Sequence, residues 1–301
     1  MHNRRRLRWA VLPVAVTMAV VLAGCTQAQL HGFLPGFQED QPAVTNNTQR
    51  VSDLWVGSWI VLLAVGVITW ALIIAAAVVY RRRRGQTGLP VQLRYNMPIE
   101  IFYTVVPLIL VLGLFAFTAR DQAAIEARDP DPDVTIEAYG KQWAWDFNYL
   151  DEDVYSAGIQ AQPDGTGAGS GVDNDALPVL VLPVNQSVEI QLKARDVIHS
   201  FWVVDFLYKK DMIPGKTNYM TVTPTREGTY QGKCAELCGD YHSLMLFTVK
   251  VVSQAEYEDY IDSLRAQGFE GRLGDEFNKN LNQPGISVPG EGSDEPSSLV
   301  N

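Results

Sequence analysis

Residues 134–149 read Val-Thr-Ile-Glu-Ala-Tyr-Gly-Lys-Gln-Trp-Ala-Trp-Asp-Phe-Asn-Tyr. Val134, Ile136 and Ala138 alternate with polar residues, and Trp143, Trp145, Phe147 and Tyr149 alternate with Ala144, Asp146 and Asn148. A period of two places every second side chain on one face of a strand. The pattern returns at Val188, Ile190, Leu192 and Ala194, set against Glu189, Gln191 and Lys193. Leu244 to Val252 is a further β-rich run, and Pro183-Val184-Asn185 and Ile213-Pro214-Gly215 supply turns. Short strands punctuated in this way predict an all-β sandwich or barrel. The domain is expected over residues 121–252. An insertion is expected near 151–176, where residues 163–175 are Gly/Asp-rich.

Downstream, Ser253-Gln254-Ala255-Glu256 is a capping-box pattern, so a helix should follow to about Gln267. It opens a C-terminal helix region, 253–281. Residues 282–301 are rich in Pro, Gly, Ser and Asp and are expected to be disordered.

Upstream, the chemistry changes. Residues 1–120 hold 11 Lys/Arg and 4 Asp/Glu, a net of +7; residues 121–301 hold 13 and 30, a net of −17. Together they give the −10 of the 301-residue chain, which argues against nucleic acid as a partner. Leu54 to Tyr80 is a stretch of 27 residues without a charge, and Ile101 to Ala119 is another of 19. At 1.5 Å per residue each suffices for a bilayer core of about 30 Å. The expected spans are 52–80 and 98–120, joined by a loop at 81–97. Arg81-Arg82-Arg83-Arg84 places that loop in the cytoplasm, so the β domain lies outside. Pro107 falls within the second span and predicts a kink. At that span's mouth, Glu100 reads either as a helix-terminus carboxylate or as a proton-path residue.

The N-terminus agrees with export. Arg4-Arg5-Arg6-Leu7-Arg8 precedes an apolar run from Trp9 to Ala23, which ends Leu22-Ala23-Gly24-Cys25. This is a secretory signal pattern over 1–24. Its ending resembles a bacterial lipobox, in which Cys25 is lipidated and becomes the mature N-terminus. Residues 25–51 would then form an extracytoplasmic segment.

Chemistry concentrates in Cys234-Ala-Glu236-Leu-Cys238-Gly239-Asp-Tyr-His242-Ser-Leu-Met245. Upstream lies Asp196-Val-Ile-His199-Ser-Phe-Trp202, and His199 and His242 are the only histidines beyond residue 31. Thiolate, thioether and imidazole together suit copper. Two thiolates can bridge two metals, each completed by one imidazole. A Cys234–Cys238 disulfide and a tetrahedral zinc site are the competing readings. Met245 and the compact spacing count against zinc.

On these residues the chain resembles subunit II of haem–copper cytochrome c oxidase. The most specific element is Gly-Lys-Cys-Ala-Glu-Leu-Cys-Gly-Asp-Tyr-His-Ser-Leu-Met at 232–245. Asp-Val-Ile-His-Ser-Phe-Trp at 196–202, Gly-Lys-Gln-Trp-Ala-Trp at 140–145, Asp-Met-Ile-Pro-Gly at 211–215 and Glu-Ile-Phe-Tyr-Thr-Val-Val-Pro at 100–107 support it, in the family order. The lipobox and acidic tail resemble actinobacterial or other Gram-positive members. Two departures touch the partner face: Lys233 stands where many relatives carry Gln, and Ala144 where an aromatic is common.

The resemblance implies a two-helix transmembrane hairpin followed by an all-β cupredoxin-like Greek-key barrel holding a dinuclear CuA centre. His199, Cys234, Cys238, His242 and Met245 are implied as copper ligands, with the backbone carbonyl of Glu236. The Glu236 side chain would point towards a magnesium shared with subunit I. Trp143 matches the tryptophan that takes the electron from cytochrome c, with Trp145 left to packing. Glu100 matches a carboxylate at the entrance of a proton channel, and Asp196 would orient His199 by hydrogen bonding. The implied activity is electron uptake from cytochrome c and delivery to haem in subunit I, where oxygen reduction is coupled to proton pumping. The implied partners are subunits I and III, membrane lipid and cytochrome c, soluble or membrane-bound within a supercomplex with the bc complex. The implied location is the plasma membrane, with two spans and a lipid anchor at Cys25. The acidic domain suits a basic cytochrome, although solubility explains the charge equally. The competing functions are a copper-delivery or thiol-redox membrane lipoprotein using Cys234 and Cys238, a copper-free quinol-oxidase subunit, and a structural anchor.

Overall fold

A computed structural model describes residues 26–82, 85–88, 94–162, 173 and 177–279. The signal and lipobox with Cys25, most of the Gly/Asp-rich stretch and the 282–301 tail lie outside the described residues. The chain divides into two units, one helical and one built on the β domain.

In the helical unit, α1 (Gln27–Leu30) is one turn, closed by a Thr26/Gln29 capping box. Helices α2 (Thr48–Val79) and α3 (Met97–Ile125) are both long and apolar enough to cross a membrane. Their apolar side chains face outward on all sides, as a lipid environment permits and water does not. Both helices outrun their apolar stretches. The ladder of backbone hydrogen bonds continues through polar residues, so a membrane boundary is not a helix boundary. At the polar ends, Arg50 and Arg120 both pair with the buried Asp121, at 3.3 and 2.9 Å. Pro107 lies inside α3. Glu100 Oε1 accepts the backbone N–H of Asn96 at 2.9 Å, so this carboxylate caps the helix start.

The β unit holds ten strands among the described residues: β1 (Val134–Lys141), β2 (Ala144–Tyr149), β3 (Val154–Ala157), β4 (Val179–Pro183), β5 (Val188–Ala194), β6 (His199–Val203), β7 (Tyr208–Met212), β8 (Asn218–Val222), β9 (Gly228–Cys234) and β10 (Leu246–Val252). Hydrogen bonding divides them into two five-stranded sheets, ordered β3-β2-β1-β5-β8 and β4-β10-β9-β6-β7. The pairs β1·β5 and β4·β10 are parallel and the rest antiparallel, and the chain changes sheet after β3, β4, β5, β7 and β8. This is the expected Greek-key, cupredoxin-like architecture, opened into a sandwich. Between the sheets, Phe201 stacks on Phe247 with ring centres 5.0 Å apart, and Trp145 packs against both. A Cβ at Gly232 would fall 2.1 Å from the Phe247 ring, so even alanine overpacks here, at about 1–3 kcal/mol. Helix α4 (Gln254–Ala266) follows its Ser253/Glu256 capping box and buries Tyr257, Ile261 and Leu264.

Two features depart from a simple strand-and-turn reading. Residues 34–49 belong to the β unit: the Thr225 N–H donates to Val44 O at 2.8 Å, and Val44 is fully buried. Strand β2 is buried on both faces, so Asp146 and Asn148 are not solvated as alternation implies. The cause is the chain after α4. Residues 271–279 cross the outward face of this sheet as a strap. Leu273 exchanges hydrogen bonds with the Asn148 side chain, both 3.0 Å, and Arg272 Nε donates to Glu137 Oε2 at 2.8 Å.

Burial alone would raise the Glu137 carboxyl, but Arg272 and Lys193 together outweigh it and hold it below the usual carboxylate range. A carboxyl depressed on folding stabilises the fold fully above its unfolded value, and that contribution fades as pH falls through the lower folded value. The stability gap between wild type and Arg272→Ala, read from urea midpoints, should therefore be full at neutral pH and shrink on acidification. A gap independent of pH would contradict this account.

Candidate metal centre

Strands β6 and β9 lie side by side with Phe201 opposite Cys234. In that register His199, two residues before Phe201, is the diagonal same-face neighbour of Cys234. The chain then loops from Cys234 through a 3₁₀ turn, His242–Leu244, and re-enters the sheet as β10. The loop is closed at its base, where the Cys234 N–H donates to Met245 O and the Ala235 N–H to Ser200 O, both at 3.0 Å. One short loop and one strand end thus present five side chains to the same point.

The distances describe a cluster. Cys234 Sγ lies 3.9 Å from Cys238 Sγ, 3.8 Å from His199 Nδ1 and 3.2 Å from the carbonyl oxygen of Glu236. Cys238 Sγ lies 3.5 Å from His242 Nδ1 and 3.7 Å from Met245 Sδ. Both cysteines are free and buried. A sulfur–sulfur bond would need about 2.05 Å, so these thiols are not a disulfide. His199, Cys234 and Cys238 offer donor atoms all within 4.8 Å of one another.

His199 and the loop carrying Cys238 have orienting neighbours. His199 Nε2 is 2.8 Å from Asp196 Oδ1, which leaves Nδ1 facing the sulfurs. Asp196 in turn accepts the backbone N–H groups of Gln142 and Val197, both at 2.8 Å. A Cβ at Gly140 would come within 3.0 Å of the His199 ring, so the bare glycine lets the imidazole lie against β1. Trp143 Nε1 and Gln142 Nε2 both donate to Cys238 O, at 3.2 and 2.8 Å. Gly239 follows with φ +119°, and its missing side chain leaves room for the Trp143 ring. Trp143 is half-buried and meets Tyr241 edge-on, whereas Trp145 is fully buried in the core.

The electrostatics favour a cation. Burial raises the Cys234 thiol, but His199 and the Glu236 and Ser200 backbone outweigh it and hold it below the usual thiol range. Cys238 is pushed up to about 12, by burial first and then by the neighbouring Cys234. Two thiolates this close repel in a buried site, and a soft metal cation removes that repulsion. Metal–thiolate bonds of about 2.3 Å let an ion between the sulfurs reach both. The donor set therefore fits soft metal ions.

The other expected residues lie apart from the cluster or at its edge. Glu236 joins it through its backbone carbonyl while its side chain is exposed. Glu100 lies in the helical unit. Reasoning from sequence assigned no role to Gly140, Gln142 or Arg195. The Gly-Lys-Gln-Trp run was the available signal for the first two, and nothing local marks the third.

Residues 134–252 match the family model described as cytochrome c oxidase subunit II, periplasmic domain. A Streptomyces avermitilis protein named "Probable cytochrome c oxidase subunit 2" is 44% identical over 89% of this chain and 91% of its own length. The cytochrome c oxidase subunit 2 of Mycobacterium tuberculosis is 32% identical over 90% and 84%. Among solved structures, the periplasmic domain of subunit II of cytochrome oxidase of Bradyrhizobium japonicum is 34% identical, covering 46% of this chain and 97% of that one, with a TM-score of 0.40. Two apolar helices and a matched periplasmic domain make this a membrane protein with an extracytoplasmic domain. On sequence identity across nearly its whole length, the chain belongs to the cytochrome c oxidase subunit II family, part of a haem–copper oxidoreductase complex.

Proposed function

We propose that the chain is the electron-accepting subunit of its oxidase, taking electrons from cytochrome c and passing them to haem in subunit I, where oxygen reduction is coupled to proton pumping. The observation that carries this reading is the paired cysteine sulfurs, flanked by one imidazole each, a thioether and a carbonyl. His199, Cys234, Cys238, His242, Met245 and the Glu236 carbonyl would hold a dinuclear copper centre. When bound, such a centre supplies one-electron redox chemistry with little rearrangement of its ligands. The chain's own part is to keep those ligands still. Strand pairing fixes Cys234, the Asp196 carboxylate fixes the His199 ring, and the two hydrogen bonds to Cys238 O fix the loop.

The remaining roles follow from position. Trp143 takes up the electron: its indole is partly exposed and bonds directly to the Cys238 carbonyl. The exposed Glu236 carboxylate, a hard donor, suits a magnesium ion shared with subunit I. Glu100 serves the entrance of a proton channel in addition to capping α3. Subunits I and III cover the apolar helices, and a lipid on Cys25 adds an anchor.

Copper per chain and the EPR spectrum of the full-length chain test the centre. Two coppers with hyperfine coupling to two equivalent nuclei are expected. One copper with a mononuclear signal, or none with a Cys234–Cys238 disulfide, would move the protein to the copper-delivery or thiol-redox reading. In the assembled oxidase, Glu236→Ala should keep the copper count, because the carbonyl remains, and should lower bound magnesium. Intact mass of the same chain should show residues 1–24 removed and Cys25 acylated.

Trp143→Phe should slow electron uptake from cytochrome c and leave the copper spectrum unchanged. Normal uptake kinetics in that variant would return Trp143 to packing.

Glutamine at position 100 keeps an oxygen for the Asn96 N–H and removes the charge. Glu100→Gln should slow proton-coupled turnover while sparing copper reduction. Full turnover would leave Glu100 as a helix cap only.

A further inference from the structure

Arg195 is 2% exposed and stands immediately before Asp196, whose carboxylate holds the His199 ring. Its guanidinium is enclosed by groups from distant parts of the chain. Nε donates to Asp146 Oδ2 on β2 at 2.9 Å. Nη1 donates to Gly274 O at 2.7 Å and reaches Asn278 Oδ1 at 3.4 Å, and Nη2 donates to Leu273 O at 3.0 Å. The Tyr139 ring lies against it at 3.8 Å. The backbone is clamped as well: the Arg195 N–H donates to Gly140 O, and Arg195 O accepts the Lys279 N–H, both at 2.9 Å.

The loop that carries Asp196 has little else to place it. Val197 and Ile198, its apolar residues, are 37% and 46% exposed, so burial does not hold the loop down. Polar contacts do. Asp196 itself bonds the Gln142 N–H, two residues after the carbonyl that Arg195 bonds. The end of β1 and the β1–β2 turn therefore receive both residues, and the strap 271–279 presses Arg195 onto them from outside. A buried guanidinium tolerates no missing partner, because breaking a buried pair leaves a charge uncompensated. Its planar fork also fixes direction, which lysine cannot reproduce.

We propose that Arg195, locked by the strap 271–279, is a positioning residue for the Asp196–His199 pair, so that the chain beyond α4 sets how rigidly this imidazole is presented to the metal centre. This rests on the reading above in which His199 is a ligand.

The test uses Arg195→Lys in the full-length chain. In the metal-free protein, hydrogen exchange of the Gln142 and Val197 amides should quicken about tenfold or more, with the β9·β10 amides unchanged. Should Arg195→Lys fail to fold, the double variant Arg272→Ala/Asn278→Ala loosens the strap from the other side and should give the same pattern. In the assembled oxidase, copper loss to a chelator should quicken about tenfold, and the nitrogen coupling of one of the two imidazoles should shift. Unchanged Gln142 and Val197 exchange while the Leu273 and Lys279 amides have loosened would overturn the proposal. So would acceleration spread evenly over both sheets, which marks a merely structural arginine. A chain that holds no copper would sink the electron-transfer reading and leave the exchange result standing by itself.

Discussion

The register between β6 and β9 is the constraint on which the rest depends. With Phe201 opposite Cys234, His199 and Cys234 share a face and point between the sheets. A slip of one residue would turn every side chain of one strand to the other face. Cys234 would then leave the cluster, and the loop to Met245 would close on nothing. That register is held by its neighbours: Gly232 beneath the Phe247 ring, Phe201 stacked on Phe247, and Trp145 against both. The aromatic core below and the donor cluster above are thus two ends of one packing arrangement.

The cluster is unfavourable by itself, and the surrounding scaffold tolerates it. Burial makes Cys238 resist ionisation, and the second sulfur 3.9 Å away adds to it, because the two cannot both carry charge at low cost. The fold holds them there through strand pairing, a glycine with positive φ, and hydrogen bonds to Cys238 O. Geometry imposed in this way favours a cation at the site and, under the proposed function, would limit how far the ligands move on electron transfer. The proposed redox role and the local electrostatic tension have the same origin.

Much of this was legible in the residues. The period-two runs marked β1, β2 and β5, a β-rich run marked β10, the uncharged stretches marked both long helices, and the capping box marked α4. The twelve residues from Cys234 to Met245 marked the donors, because soft ligands so close together in sequence must also be close in space. Other features were hidden for stated reasons. Asp146 and Asn148 read as solvated because alternation describes one sheet and cannot see a strap arriving from residues 271–279. Residues 34–49 read only as part of an extracytoplasmic segment because their partners, Thr223 to Thr225, are far along the chain. Arg195 carried no sequence signal, since the four partners of its guanidinium hydrogen bonds come from β2 and the strap.

The amino-acid sequence by itself determined two apolar stretches long enough to span a membrane, the β character of the outer domain and a cluster of soft donor side chains from Cys234 to Met245. Each follows from composition or spacing within a short window. Only the tertiary structure decided that His199 joins a cluster 35 residues away, which imidazole nitrogen faces the sulfurs, and that the chain beyond α4 clamps the loop carrying Asp196. These depend on strand register and on the burial of charged groups. Both are set by contacts between segments distant in sequence, and no local pattern encodes them.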